Sequence, residues 1–142
     1  MAESRVITDT ITGEVPGYTN AGPARFLYNP ADPYAIVVDL TALVTRAEQR
    51  GKTVLWEFAR SLLVRALTGG HAGDGDVVID RDGAWVDIAL SSPDGAATFR
   101  FPAQPLHRFI LRTESLVLLG DESRHYAPVI DDTINRLLGG VR

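Results

Sequence analysis

The stretch Lys52–Leu67 changes its hydrophobic period part-way along, and that change limits the folds open to the chain. Val54, Trp56 and Phe58 alternate with Thr53, Leu55 and Glu57, the period of two that turns one side of a strand toward a core. Beyond Phe58 the apolar positions Leu62, Leu63, Ala66 and Leu67 recur at helical intervals, and Gly69-Gly70 offers the left-handed residue at which helices commonly stop. A strand with two large aromatics therefore runs directly into a short amphipathic helix. Both need apolar cover, and the other strands of the chain are its source. No side chain in this stretch is chemically reactive, which argues against an enzyme.

The rest of the chain supplies those strands. Arg5–Val15 is rich in Val, Ile and Thr and reads as a first strand, closed by Pro16-Gly17 and a loop from Tyr18 to Pro23. A second strand is expected at Ala24–Tyr28 and a third at Tyr34–Thr41. Between them Asn29-Pro30-Ala31-Asp32-Pro33 turns sharply, because each proline fixes its own φ and pushes the preceding residue out of the helical region. Ala42–Arg50 reads as a long hairpin loop. After the central strand and helix, His71–Asp76 is a glycine-rich connection to strands at Asp76–Asp80, Ala84–Leu90 and Ala96–Phe101, joined by the tight-turn pairs Asp82-Gly83 and Asp94-Gly95. Trp56 and Trp85 are both assigned to the core, because each alternates with other apolar residues.

Pro102-Ala103-Gln104-Pro105 opens a second helix, where proline is tolerated because first-turn N–H groups have no helical partner. Leu106, Phe109, Ile110 and Thr113 form its buried stripe, and Arg108 and Arg112 lie one turn apart outside it. A polar loop, Asp121–Tyr126, precedes a last helix from about Pro128. That helix carries Asp131-Asp132 in its first turns, the stripe Ile130, Ile134, Leu137 and Leu138, and a stop at Gly139-Gly140. Each half of the chain is a run of strands followed by a helix. Runs of this kind predict an α+β fold with antiparallel sheets. The 142 residues fit one domain, 1–142.

Composition narrows the function. The net charge is −4, and Lys52 is the only lysine among 14 basic residues. Phosphate-binding surfaces concentrate basic side chains, whereas here arginines are scattered among more numerous acids, so nucleic-acid binding is not expected. There is no cysteine, which fits a reducing compartment and leaves no disulfide or thiolate chemistry. Met1–Arg5 lacks a basic segment leading into an apolar one, so no secretory leader is expected and the cytoplasm is the default location.

Candidate chemistry is thin. A helix–loop–helix calcium loop needs an oxygen ligand at its fifth position, which is Val78 counting from Asp74 and Ala84 counting from Asp80. Gly69, Gly70, Gly73 and Gly75 follow a helix and precede a strand, the reverse of a dinucleotide-binding order. His71, His107 and His125 have no coherent zinc spacing, and Ser91-Ser92 lacks a nucleophile-elbow context. No metal, cofactor or catalytic residue is expected. Arg108 and Arg112, joined by Arg100, form a candidate binding face, and the helices Leu106–Thr113 and Val129–Leu138 are candidate interfaces, with partner proteins the expected occupants.

Five segments in register resemble one family. They are Ala31-Asp32-Pro33-Tyr34-Ala35, Trp56–Leu63, Gly73-Asp74-Gly75-Asp76-Val77, Ile88–Gly95 and Leu106–Thr113. Together they are similar to the SsgA-like sporulation and cell-division proteins of actinomycetes, over about Thr8 to Leu138. The stretch Ala42–Lys52 is longer than in the typical member. The resemblance implies two packed antiparallel sheets with helices, like the whirly single-stranded-DNA-binding proteins, assembled as a homotrimer. It also implies a non-enzymatic adaptor at the division septum, without cofactors. Such an adaptor recruits the tubulin-like GTPase FtsZ and promotes its polymerisation, works with an SsgA-type partner, and reaches the membrane only through partners. A single-stranded nucleic-acid binder is the alternative, by fold analogy alone.

Overall fold

The computed structural model describes residues 6–19, 21–44 and 51–125. Among these residues the main elements run in the order β1 (Ile7–Glu14), β2 (Ala21–Tyr28), β3 (Ala35–Asp39), β4 (Leu55–Ala59), α1 (Arg60–Gly69), β5 (His71–Ala72), β6 (Val77–Asp82), β7 (Trp85–Ser92), β8 (Gly95–Pro102) and α2 (Ala103–Leu116). The protein is α+β, as its strand-then-helix runs require. The period switch falls where the sequence places it: β4 ends at Ala59 and α1 begins at Arg60, with no loop between them. Gly70 closes α1 at φ 92°, a left-handed conformation that costs glycine little.

The strands form one antiparallel sheet in the order β4-β3-β2-β1-β8-β7-β6-β5. This corrects the expectation of two separate sheets. Each half is a four-stranded meander, and the halves join through β1 and β8, where Glu14 lies opposite Arg100. Gly13 makes the join possible. A Cβ at this buried position would collide with the Phe101 ring, itself fully buried against Phe26 with ring centroids 5.1 Å apart. The two helices then cross over. α1 leaves β4 in the first half and packs on β5 and β6 of the second; α2 leaves β8 and packs on β1 of the first. One core results, lined by Ile11, Phe26, Ile36, Leu63, Ile88, Phe101, Leu106 and Phe109.

Several boundaries differ from the sequence reading for identifiable reasons. β2 begins at Ala21, within the expected loop, and includes Pro23 opposite Thr12. Pairing of β2 with β3 starts only at Arg25, so the missing N–H of Pro23 falls where the strand has one neighbour. His71–Ala72, read as part of a connection, is a short edge strand paired with Ile79 and Asp80. Thr41–Leu43 is a 3-10 turn rather than open loop, fixed by the Thr41 hydroxyl, which donates to Asp39 and accepts from the Val54 N–H. Residues 122–125 are helical where a polar loop was expected. The expected last helix lies outside the described residues.

Trp85 is the clearest correction to the core. It is 45% exposed. Val86, Ile88 and Leu90 point inward from β7, so parity places Trp85 on the outer face. Trp56 is half-buried and packs against the core. The join between the halves gives a direct test. Gly13→Ala should lower stability by about 1–3 kcal/mol by overpacking against Phe101, read as a shifted urea midpoint; an unchanged midpoint would show that the ring can move aside.

Candidate partner interface

Arg60 opens α1 and is completely buried. Its Nη1 donates to the Thr113 hydroxyl at 3.2 Å and to the Val117 carbonyl at 2.8 Å, and its Nη2 donates to the Glu122 carboxylate at 2.8 Å. The guanidinium carbon lies 4.9 Å from the centre of the Tyr28 ring, within cation–π range. Only Nε lacks a partner among the described residues. Tyr28 in turn donates to the Pro33 carbonyl at 2.9 Å, and burial pushes its phenol up to about 12 against the opposing pull of Arg60. Burial alone would raise the Glu122 carboxyl. The Arg60 hydrogen bond and the backbone N–H groups of Glu122 and Gly120 outweigh it and hold the group below the ordinary glutamate range. The first turn of α1, the end of α2 and the segment after it are thus fixed to one cation.

That cluster holds α2 in place, and α2 presents the candidate face. Ala103, Leu106, Phe109, Ile110 and Thr113 are buried, as the expected stripe requires. At 100° per residue, Gln104, His107, Arg108, Leu111 and Ser115 form the opposite stripe, and all five are exposed. The two predicted arginines do different things there. Arg112 lies on the flank and pairs with Asp9 of β1, a half-buried carboxylate on the core-facing parity of that strand. Arg108 lies within the outer stripe and has no ion-pair partner among the described residues. Leu111 sits beside it at 52% exposure, an apolar side chain in the polar stripe. Arg100 does not join this face. It is engaged in β8 by Asp87 directly across the strand pair, with Nε–Oδ1 at 2.8 Å and Nη2–Oδ2 at 3.1 Å.

The remaining candidates group differently. His71 and Asp80 are cross-strand neighbours on β5 and β6 at 2.5 Å, both exposed, and the Asp80 hydrogen bond raises the imidazole from its usual value. Glu122 near His125 is committed to Arg60. No group of three or more metal-ligating side chains gathers among the described residues. An open cleft of about 520 Å³ lies between the ends of the two meanders, walled by Tyr18, Leu43, Trp56, Leu90 and Phe99. Among the described residues its lining contains aromatics but no lysine or arginine, with Asp94 as its charged residue. A single-stranded nucleic-acid groove combines base-stacking rings with positive charge, and the described lining residues supply only the rings. Among the described residues no helix is long and apolar enough to cross a membrane.

Taken together, the fold and surface describe an α+β domain with an amphipathic helix laid over a curled antiparallel sheet and its polar stripe turned outward. The family described as Streptomyces sporulation and cell division protein, SsgA, matches residues 23–122, and the chain belongs to it. It is 43% identical to the sporulation-specific cell division protein SsgB of Salinispora tropica over 121 residues, 82% of this chain and 80% of that one. It is 38% identical to SsgB of Streptomyces coelicolor over 120 residues, 82% and 81% of the two chains. Among solved structures, an SsgA-like sporulation-specific cell division protein from Thermobifida fusca superposes with a TM-score of 0.73 at 34% identity, covering 96% of this chain and 98% of that one.

Arg60, Glu122 and Leu111 were missed as site residues in the sequence. Arg60 and Glu122 stand 62 positions apart, and no local pattern pairs them. Leu111 carried a signal, since it is one turn from both His107 and Arg108. Removing one member of the buried pair should be costly: Glu122→Ala is expected to lose about 3 kcal/mol, and Arg60→Met in the same background to recover part of it. The Glu122 carboxyl is lowered in the folded state, so its contribution is present above the ordinary glutamate range and lost as pH falls through the lowered folded value. Denaturant midpoints between pH 3 and 7 should therefore fall less steeply at the acid end for Glu122→Ala than for the parent chain.

Proposed function

We propose that this chain is a non-enzymatic cell-division adaptor of the SsgB kind: a single SsgA-like domain spanning 1–142 that recruits FtsZ to future septum sites and promotes its polymerisation. The observation that carries the reading is the 43% identity to a sporulation-specific SsgB over most of both chains. The outward stripe of α2 supports it, because exposed arginine beside an exposed apolar residue is the composition of a protein-binding surface. In this reading the protein is cytoplasmic, works as a homotrimer beside an SsgA-type protein, needs no cofactor, and reaches the membrane only through partners. Its repeated strands-then-helix plan is taken as a variant of the whirly arrangement, used here for protein contacts.

Co-sedimentation with purified FtsZ and GTP tests the reading. The expected pellet gains both this protein and additional polymer; a pellet unchanged in both overturns the assignment. The interface residues separate in the same assay. Arg108→Glu should weaken co-sedimentation and leave the urea midpoint within about 0.5 kcal/mol of the parent, as for an exposed position with little structural role. Arg112→Glu places a second carboxylate beside Asp9, so it should weaken binding and also lower stability by roughly 1 kcal/mol, measured by urea unfolding.

A further inference from the structure

Five charged side chains stand in one row on the outer face of the sheet, crossing five neighbouring strands. The register places His71 of β5 opposite Asp80 of β6, Asp80 opposite Asp87 of β7, Asp87 opposite Arg100 of β8, and Arg100 opposite Glu14 of β1. Two carboxylates therefore meet within the row, and like charges directly opposite destabilise a strand pair. Each is relieved from its far side. Arg100 holds Asp87 at two points, 2.8 and 3.1 Å, and keeps its charge at any physiological pH. Asp80 is relieved by His71, with Nδ1 2.5 Å from Oδ1, and an imidazole titrates near neutral pH. The strand that carries this imidazole is two residues long and lies at the edge of the sheet. The Arg81 N–H donates to the Gly70 carbonyl at 2.7 Å. By alternation His71 and Asp80 are then a pair with close side chains and no backbone bonds, and the next backbone bonds join Ala72 and Ile79.

We propose that β5 is a pH-sensitive latch: the imidazolium of His71 holds the strand on β6 through Asp80, and loss of its proton leaves Asp80 facing Asp87 and frees the edge. The groups nearest His71 favour the charged ring. The Asp80 hydrogen bond and charge act first, a backbone hydrogen bond at Gly73 and the charge of Asp74 add to them, and burial opposes them. Asp82 shares the face of Asp80 two residues along β6. From α1, which packs on β5, come no carboxylates, the buried Arg60 bound to Glu122, the exposed Arg65, and the negative end of the helix dipole. The imidazole is raised from its ordinary value of 6.5. Its contribution is therefore complete below that value and lost as pH rises through the higher folded one. Opening is confined to β5 and the loop after it, because Arg81 fixes the end of α1 separately. Its Nη1 donates to the Leu67 carbonyl at 2.7 Å and its Nε to the Gly83 carbonyl at 2.9 Å. What opens is the backbone edge of β6 at Ile79. His71 and Asp80 are exposed, at 62% and 56%, so the effect is local and salt weakens it. The latch belongs to the sheet edge and does not depend on which partner the protein binds.

The test uses the full-length chain labelled with 15N, followed by NMR between about pH 5.5 and 8.5. The ring signals of His71 should titrate with a higher midpoint in the parent than in Asp80→Asn. Amide exchange, corrected for its intrinsic dependence on pH, reports the strand itself. Protection of the Ala72 and Ile79 amides should fall about fivefold as pH rises through the His71 midpoint, while the core amide of Ile88 holds constant. In His71→Gln and in Asp80→Asn the same two amides should show low protection that no longer changes with pH. Salt at about 0.5 M should lower the His71 midpoint in the parent. Four results would each overturn the latch. They are one midpoint shared by the parent and Asp80→Asn, pH-independent protection in the parent, an undiminished fall in His71→Gln, and an equal fall at Ile88, which would mark a global effect.

Discussion

A guanidinium with no access to water must find its counter-charge and hydrogen-bond acceptors inside the protein, and Arg60 finds them in three separate places along the chain. Desolvating such a charge is expensive, so the geometry around it is over-determined. Thr113 and the Val117 carbonyl fix the end of α2, Glu122 fixes the segment that follows, and the Tyr28 ring closes one side. The position of α2 over the sheet therefore depends on a residue belonging to the other helix. The outward direction of His107, Arg108 and Leu111 follows from that docking.

The crossing of the helices gives the molecule its unity. A four-stranded meander with one apolar face cannot bury that face alone. Here each meander is covered by the helix that the other one ends in, and the two ladders meet where Gly13 admits Phe101. The halves share one core for this reason, although their hydrogen-bonded join is narrow.

In this member of a sporulation and cell-division family, several polar side chains are engaged in holding the fold together. The polar residues that touch one another do structural work: Arg100 with Asp87 across two strands, His71 with Asp80 at the sheet edge, and Arg81 on the Leu67 carbonyl at the end of α1. What remains outward on α2 among the described residues is Gln104, His107, Arg108, Leu111 and Ser115.

The sequence by itself determined the local structure. The switch of period at Ala59 and Arg60, the Asp-Gly turns, the strand-then-helix runs and the buried stripe of α2 are all set by neighbours within a few residues, and the family was legible in five short segments. Only the tertiary structure decided which long-range partners meet. It joined eight strands into one sheet through Glu14 and Arg100, took Arg100 away from the candidate face, and paired Arg60 with Glu122. These outcomes depend on how the two halves close on each other. No hydrophobic period encodes that, because an arginine at the start of a helix reads the same in sequence whether it meets water or a carboxylate 62 residues away.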